Sequence, residues 1–195
     1  MNGRLDKVYS AIDAANSADP TLEHDENAEL PAALLYGHRM SAELERIAHG
    51  ASEHLKIAAR GQHIERWKMP RNSYPEGRAG YLTWRKAQAA FHAQRVAEIM
   101  AGAGYDRNDR DRVEQLLRKE GIKRDAEVQM LEDVACLVFL KWYFKEFSEG
   151  HETEKILRIV SKTARKMSAE GRARVLAEFE LPPELRAAVD IQADL

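Results

Sequence analysis

Apolar residues recur every three to four positions along most of this chain, and this is the spacing of a helix face. No segment shows the sustained alternation of apolar and polar residues that is typical of a strand. The run VACLVFL at residues 134–140 is apolar nearly all round, which indicates a central buried helix over 126–147. The sequence therefore predicts an all-α fold.

Turn-forming residues divide the chain into successive helices, and the polar, proline-containing stretch at 17–30 predicts a loop. Asn108 is a candidate cap for a further helix that carries Glu120 on its apolar side. Other predicted helices span 5–15, 32–48, 53–67 and 81–101, and two more amphipathic helices are predicted in the last third of the chain. A length of 195 residues suits one domain, which we place at 1–183 with a C-terminal tail at 184–195.

Charge composition limits the partners. Lys plus Arg total 30 and Asp plus Glu total 32, so no global positive field favours DNA or a membrane surface. The apolar run at 134–140 is too short to span a bilayer. The charged N-terminus lacks the apolar region of a signal peptide, so we expect a cytoplasmic location.

Cations alternate with aromatic rings in the segment 62–92, between two histidines. Guanidinium groups form paired hydrogen bonds with phosphate or carboxylate, and aromatic rings stack on planar groups. This combination predicts a site for an anionic ligand. The candidate substrate-binding residues are Arg66, Trp67, Arg71, Tyr74, Arg78, Tyr81, Trp84 and Arg85.

Two histidines in this segment fall on apolar helix faces. His63 follows Leu55 and Ala59 at four-residue intervals, and His92 follows Trp84 at twice that interval. Imidazoles and carboxylates are ligands of manganese, iron and zinc, and a bound metal can generate hydroxide for hydrolysis. A single histidine facing the core is more often hydrogen-bonded than ligated, so a structural polar network is the alternative.

Four motifs carry a resemblance to a known family: QHIERW at 62–67, GYLTWR at 80–85, LRKEGIKRD at 117–125 and LEDVACLVF at 131–139. Together they resemble the uncharacterised domain-of-unknown-function family 4202, over about residues 5–183. More loosely, the layout is similar to the HD-domain metal-dependent phosphohydrolases.

The HD resemblance implies an HD-like helical bundle with a divalent metal held by residues from successive helices. It places metal ligands at His38, His63, His92 and Asp133. It implies catalytic roles for His63, Glu120 and Asp133. The sequence departs from the pattern at Ile64, which stands where the signature aspartate would follow His63.

Three functions remain open from the sequence. The first is a metal-dependent phosphohydrolase acting on a phosphorylated small molecule or nucleotide. The second is a non-catalytic anion-binding or nucleotide-binding module on a degenerate HD scaffold. The third, less favoured by the charge balance, is an RNA-associated protein that stacks bases on its aromatic rings. In a purely structural alternative, Arg66 and Arg85 stack on rings and pair with Glu65 and Glu76. The substrate, the metal and the oligomeric state are not determined by the sequence.

Overall fold

The computed structural model describes residues 3–25 and 28–191. The chain divides into two compact units, Met1–Glu120 and Gly121–Leu195. Both units are built from helices, which confirms the predicted all-α class. The domain limits of 1–183 and 184–195 stay a prediction, and residues 192–195 of that tail lie outside the described residues.

The first unit contains five helices and one small hairpin within its described residues. Buried residues of four of these helices form its core, among them Ile12, Leu35, Met100 and Leu116. Because apolar side chains on one face of each helix are removed from water together, their burial stabilises the bundle. The elements are α1 (Arg4–Asn16), β1 (Leu22–Asp25), β2 (Ala28–Pro31), α2 (Ala32–Ile47), α3 (Glu53–Gly61), α4 (Gly77–Gly102) and α5 (Arg107–Arg118).

The hairpin of β1 and β2 corrects the prediction of a loop at 17–30. The two strands pair antiparallel, with Leu22 opposite Pro31 and residue 25 opposite residue 28. Arg39 of α2 donates hydrogen bonds to carboxylates on β1 at Glu23 and Asp25, each at 3.2 Å. These long-range pairs hold the short strand against α2.

Helix α3 ends at Gly61, so the predicted helix over 53–67 is wrong beyond that residue. Glu65 adopts a left-handed backbone conformation with φ 49°, which interrupts α-helical geometry. Its backbone N–H donates to the Asn16 side chain at 2.9 Å. Two short 3₁₀ turns follow, at Arg66–Lys68 and Arg71–Ser73. The site segment is therefore a loop tied to α1.

Helix α4 begins at Gly77 rather than at residue 81. The preceding loop crosses its first turn so closely that a Cβ on Gly80 would lie 1.9 Å from the Pro75 carbonyl oxygen. Helix α5 is capped by Asp106, not by Asn108 as predicted, and ends before Lys119, which is left-handed. A close backbone contact thus accompanies the start of α4. A side-chain cap and a left-handed residue set the two ends of α5.

The second unit contains five helices in its described part. The predicted helix at 126–147 is present, but a π-helical segment, Phe139–Tyr143, divides it into two α-helices. The elements are α6 (Ala126–Val138), α7 (Phe144–Glu149), α8 (Thr153–Ala164), α9 (Ala169–Glu178) and α10 (Pro183–Val189). Helix α6 is buried along most of its length, as predicted. Among the described residues, no helix combines the length and apolar character needed to cross a membrane.

Candidate functional site

The loop after α3 meets α2 and α4 in a cluster of rings around one guanidinium group. The His63 ring stacks on Tyr36 of α2, with centroids 3.9 Å apart and planes at 18°. The His63 and His92 centroids are 6.0 Å apart. The Arg66 guanidinium carbon lies 4.8 Å from the centroid of the Trp84 ring. We call these side chains the Arg66 cluster: Tyr36, His63, Arg66, Trp84 and His92.

His92 is held in one tautomer by the backbone. Its side chain is 3% exposed, and Nδ1 lies 2.8 Å from the Ile64 carbonyl oxygen. Because a carbonyl oxygen only accepts, Nδ1 must carry the proton. Burial and the charge of Arg66 lower the pKa of His92 to about 4. In the neutral ring, Nε2 is therefore an unprotonated acceptor, and it has no hydrogen-bond partner among the described residues.

His63 is also kept neutral. Burial is the largest cause that lowers its pKa well below the usual value, and the charge of Arg66 adds to it. His92, Lys119 and Arg85 act in the same direction. Both histidines thus lie in a positive electrostatic environment, which favours their neutral forms.

Gln88 fastens the loop to α4. Its side-chain amide nitrogen donates to the Arg66 carbonyl oxygen at 3.2 Å and to the Met69 carbonyl oxygen at 2.8 Å. The Trp84 indole N–H donates to the same Met69 oxygen at 2.9 Å. Since both partners of the Gln88 amide are acceptors, its nitrogen and oxygen cannot exchange places. The residue is 2% exposed, and its Oε1 finds no donor in the described part of the chain.

Arg66 has no carboxylate partner within the part of the chain that the structure describes. Burial and the charge of Arg85 lower the pKa of Arg66, and no ion pair to its guanidinium forms within the described residues. The adjacent Glu65 pairs instead with Lys68 at 2.6 Å and with Arg95 at 2.9 Å. The alternative in which Glu65 neutralises Arg66 or Arg85 is therefore wrong, whereas stacking of Arg66 on an aromatic ring is confirmed.

The other predicted anion-binding residues divide into two groups. Tyr81 and Arg85 lie beside the Arg66 cluster: the Tyr81 and Trp84 centroids are 5.9 Å apart, and Arg85 Nη1 donates to the Tyr81 hydroxyl at 3.5 Å.

The second group has other surroundings. Arg71 donates to the carbonyl oxygens of Tyr74 at 2.9 Å and of Pro75 at 2.8 Å, so it stabilises the loop itself. The Tyr74 hydroxyl contacts the Met69 sulfur at 3.3 Å. Arg78 is exposed on the first turn of α4, and Trp67 is half-buried.

The predicted metal ligands do not assemble. His38 lies 3.7 Å from Asp13, whose carboxylate already binds Arg60 at 2.6 Å. The expected apolar-face position of Glu120 is wrong, because α5 ends at Arg118 and Glu120 is exposed in the turn that follows. Of the predicted ligands in the first unit, only His63 and His92 come together.

Asp133, the remaining predicted ligand, belongs to the second unit and holds Ser168, the N-cap residue of α9. It is 4% exposed, and its Oδ1 accepts from the Ser168 N–H at 2.9 Å and from Gln129 at 3.1 Å. Its Oδ2 accepts from the Ser168 hydroxyl at 2.5 Å. That hydroxyl oxygen in turn accepts from the Gly171 N–H at 2.8 Å. The carboxylate is occupied in fixing a helix N-terminus.

Across residues 3–25 and 28–191, no three His, Cys, Asp or Glu side chains are grouped to hold a metal ion. The arrangement thus does not fit the divalent metal that the HD resemblance implies. The HD resemblance itself stays a prediction.

Sequence reasoning missed two residues of the site. Tyr36 was not predicted, because its position on α2 gives no sign that it stacks on a ring 27 positions later in a loop. Gln88 lies on the same four-residue row of α4 as Trp84 and His92. A polar residue on a buried helix face is a signal that could have identified Gln88.

Comparison with known proteins gives a family. A family model described as a domain of unknown function, DUF4202, matches residues 6–189. No curated protein matches the chain, and no solved structure does. The match covers almost the whole chain, including both units, and the motifs that first suggested the family lie within it. The chain therefore belongs to the DUF4202 family.

Proposed function

We propose that this protein binds a phosphorylated small molecule or nucleotide at the Arg66 cluster. The observation that carries the proposal is the guanidinium of Arg66, half-buried and without a carboxylate partner in the described residues, beside two neutral histidines. A buried positive charge is costly unless a negative charge compensates it. A bound phosphate would supply that charge.

The neighbouring side chains suit such a ligand. An arginine donates two parallel hydrogen bonds to phosphate oxygens, which a lysine does not reproduce. The Trp84 ring holds the guanidinium plane by a cation–π contact. Arg85, exposed on α4, adds a second positive charge near Arg66, and the exposed Tyr81 ring offers a face for a planar group such as a base.

Binding without turnover is the form of the proposal that these residues support best. Ile64 occupies the position of the signature aspartate and is fully buried, and two of the predicted metal ligands, His38 and Asp133, have other partners. Metal-dependent hydrolysis stays a prediction from the family resemblance.

Calorimetric titration with inorganic phosphate tests the proposal. Arg66→Gln should weaken phosphate binding at least tenfold, because a charge-assisted hydrogen-bonding group is lost. Arg66→Lys should recover only part of the affinity. Arg107→Gln is the matched control, since Arg107 is an exposed arginine on α5 of the same unit and outside the candidate site.

Equal weakening by Arg66→Gln and Arg107→Gln would show diffuse charge attraction and contradict the proposal. An assay with p-nitrophenyl phosphate and Mn²⁺ addresses turnover. Sustained hydrolysis that is lost in Arg66→Gln would replace binding by catalysis at the same site.

A further inference from the structure

Two buried hydrogen-bond acceptors lie on one face of α4 next to the Arg66 cluster. They are His92 Nε2 and Gln88 Oε1, four residues apart, and neither has a donor within the described residues. We call these two atoms the open acceptors. The residues that carry them are 3% and 2% exposed. Buried polar atoms without partners are rare in proteins, and water or a ligand usually completes them.

The backbone fixes the character of both open acceptors. The Ile64 carbonyl oxygen holds the proton of His92 on Nδ1, at 2.8 Å. The carbonyl oxygens of Arg66 and Met69 hold the amide nitrogen of Gln88, at 3.2 and 2.8 Å. Since each contact would be lost if the ring or the amide turned over, the atoms left on the other side can only accept.

Phosphate oxygens that are ionised also only accept, so they cannot complete the open acceptors. A single ligand that fills this site must therefore meet two different chemical requirements. Arg66 requires negative charge, whereas His92 requires an O–H or N–H donor. Arg66 acts electrostatically on the His92 ring, and the Gln88 amide binds the Arg66 backbone directly. Both requirements thus arise within one small region of the first unit.

We infer that the ligand is a phosphate ester with free hydroxyl groups, that is, a phosphorylated sugar or polyol, including the ribose of a nucleotide. Its phosphate binds Arg66, and one of its hydroxyls donates to His92 Nε2. This inference rests on the proposed function and adds the chemical class of the ligand. A plain phosphate monoester would leave the histidine without a donor.

A pair of matched probes tests the inference by calorimetry. Glycerol 3-phosphate and n-propyl phosphate are monoesters with the same three-carbon chain, and only the first carries hydroxyls. Glycerol 3-phosphate should bind about tenfold more tightly, because one hydrogen bond to a buried acceptor is gained. His92→Phe keeps a ring and removes the acceptor, so the two affinities should become equal.

The wild-type protein alone already decides between the outcomes, even if His92→Phe fails to fold. The ¹⁵N resonance of His92 Nε2 should move on titration with glycerol 3-phosphate and not with n-propyl phosphate. If both probes bind equally and the resonance responds alike, a water molecule completes His92 and the inference is overturned.

Arg66→Gln separates this failure from failure of the proposed function. Equal binding of the two probes that Arg66→Gln weakens would leave phosphate binding intact and remove only the hydroxyl requirement. Binding that Arg66→Gln does not change, or no binding of either probe, would overturn both.

Discussion

Two buried polar groups, one in each unit, were equally good candidates for a functional site in the sequence. In the structure, one has all its hydrogen bonds and the other does not. Asp133 in α6 receives hydrogen bonds from Ser168 and Gln129 on both of its oxygens. His92 in α4 has one nitrogen bound to the Ile64 carbonyl oxygen, and its other nitrogen has no partner among residues 3–25 and 28–191.

The difference separates polar groups that stabilise the fold from polar groups that are available to a ligand. A carboxylate whose hydrogen bonds are complete stabilises the fold and has little capacity left for a ligand. An open acceptor beside a cation without a counter-ion costs stability, and a ligand can recover that cost. Burial and residue type alone therefore do not identify a candidate site; the remaining hydrogen-bonding capacity is a further criterion.

The largest expected effect is at Asp133, the group whose hydrogen bonds are complete. Asp133→Ala should lower the free energy of unfolding by about 3–5 kcal/mol, because several buried donors lose a charged partner at once. Urea denaturation measures it. Glu149→Ala, which removes an exposed carboxylate of the same unit, should change the value by less than about 0.5 kcal/mol. A similar, small effect for Asp133→Ala would mean that its network is not structural.

Acidification should reduce the contribution of His92 to the stability of the protein. His92 titrates near its ordinary pKa of 6.5 when unfolded and at about 4 when folded. Between these values the unfolded chain binds the proton and the folded one does not, so stability falls as pH falls. The contribution of His92 is complete above about pH 6.5, and roughly 3 kcal/mol of it is lost by pH 4.

Urea denaturation at pH 7 and at pH 4.5 checks this in wild type and in His92→Phe. The variant should lose less stability on acidification than wild type. An identical loss in both proteins would show that His92 is not a buried neutral histidine.

The smallest expected effect is that of Arg66→Gln on stability without ligand. We expect a change within about 1 kcal/mol, because a cation–π contact of about that size is lost while repulsion from Arg85 is relieved. The same substitution should nevertheless weaken phosphate binding. Thermal unfolding without phosphate measures the first effect. A loss as large as that of Asp133→Ala would make Arg66 a structural residue.

The sequence predicted the elements whose signals are local. The helix face carrying Trp84 and His92 follows from four-residue spacing, and both residues are buried as expected. The break after Gly61 could not be predicted in this way, because the Asn16 side chain, far away in the sequence, binds the backbone of Glu65 in its left-handed conformation. The hairpin likewise depends on Arg39 of α2.

The candidate site was predicted only in part, because some of its contacts also join residues that are far apart in the sequence. Arginine and aromatic residues in 62–92 indicated an anion site, and the structure brings Arg66 and Trp84 together. The predicted catalytic residue Glu120 was misplaced, since α5 ends at Arg118, two residues before it. The periodicity of apolar residues does not reveal where helices end or which distant segments contact each other.

A phosphate titration followed by NMR tests the central claim most directly. The Arg66 Nε–H resonance should shift with saturation as phosphate is added, while the Ser168 amide N–H, bound to Asp133, should keep its position. An Arg66 resonance that stays unchanged at saturating phosphate, with or without a shift at Ser168, would contradict the account.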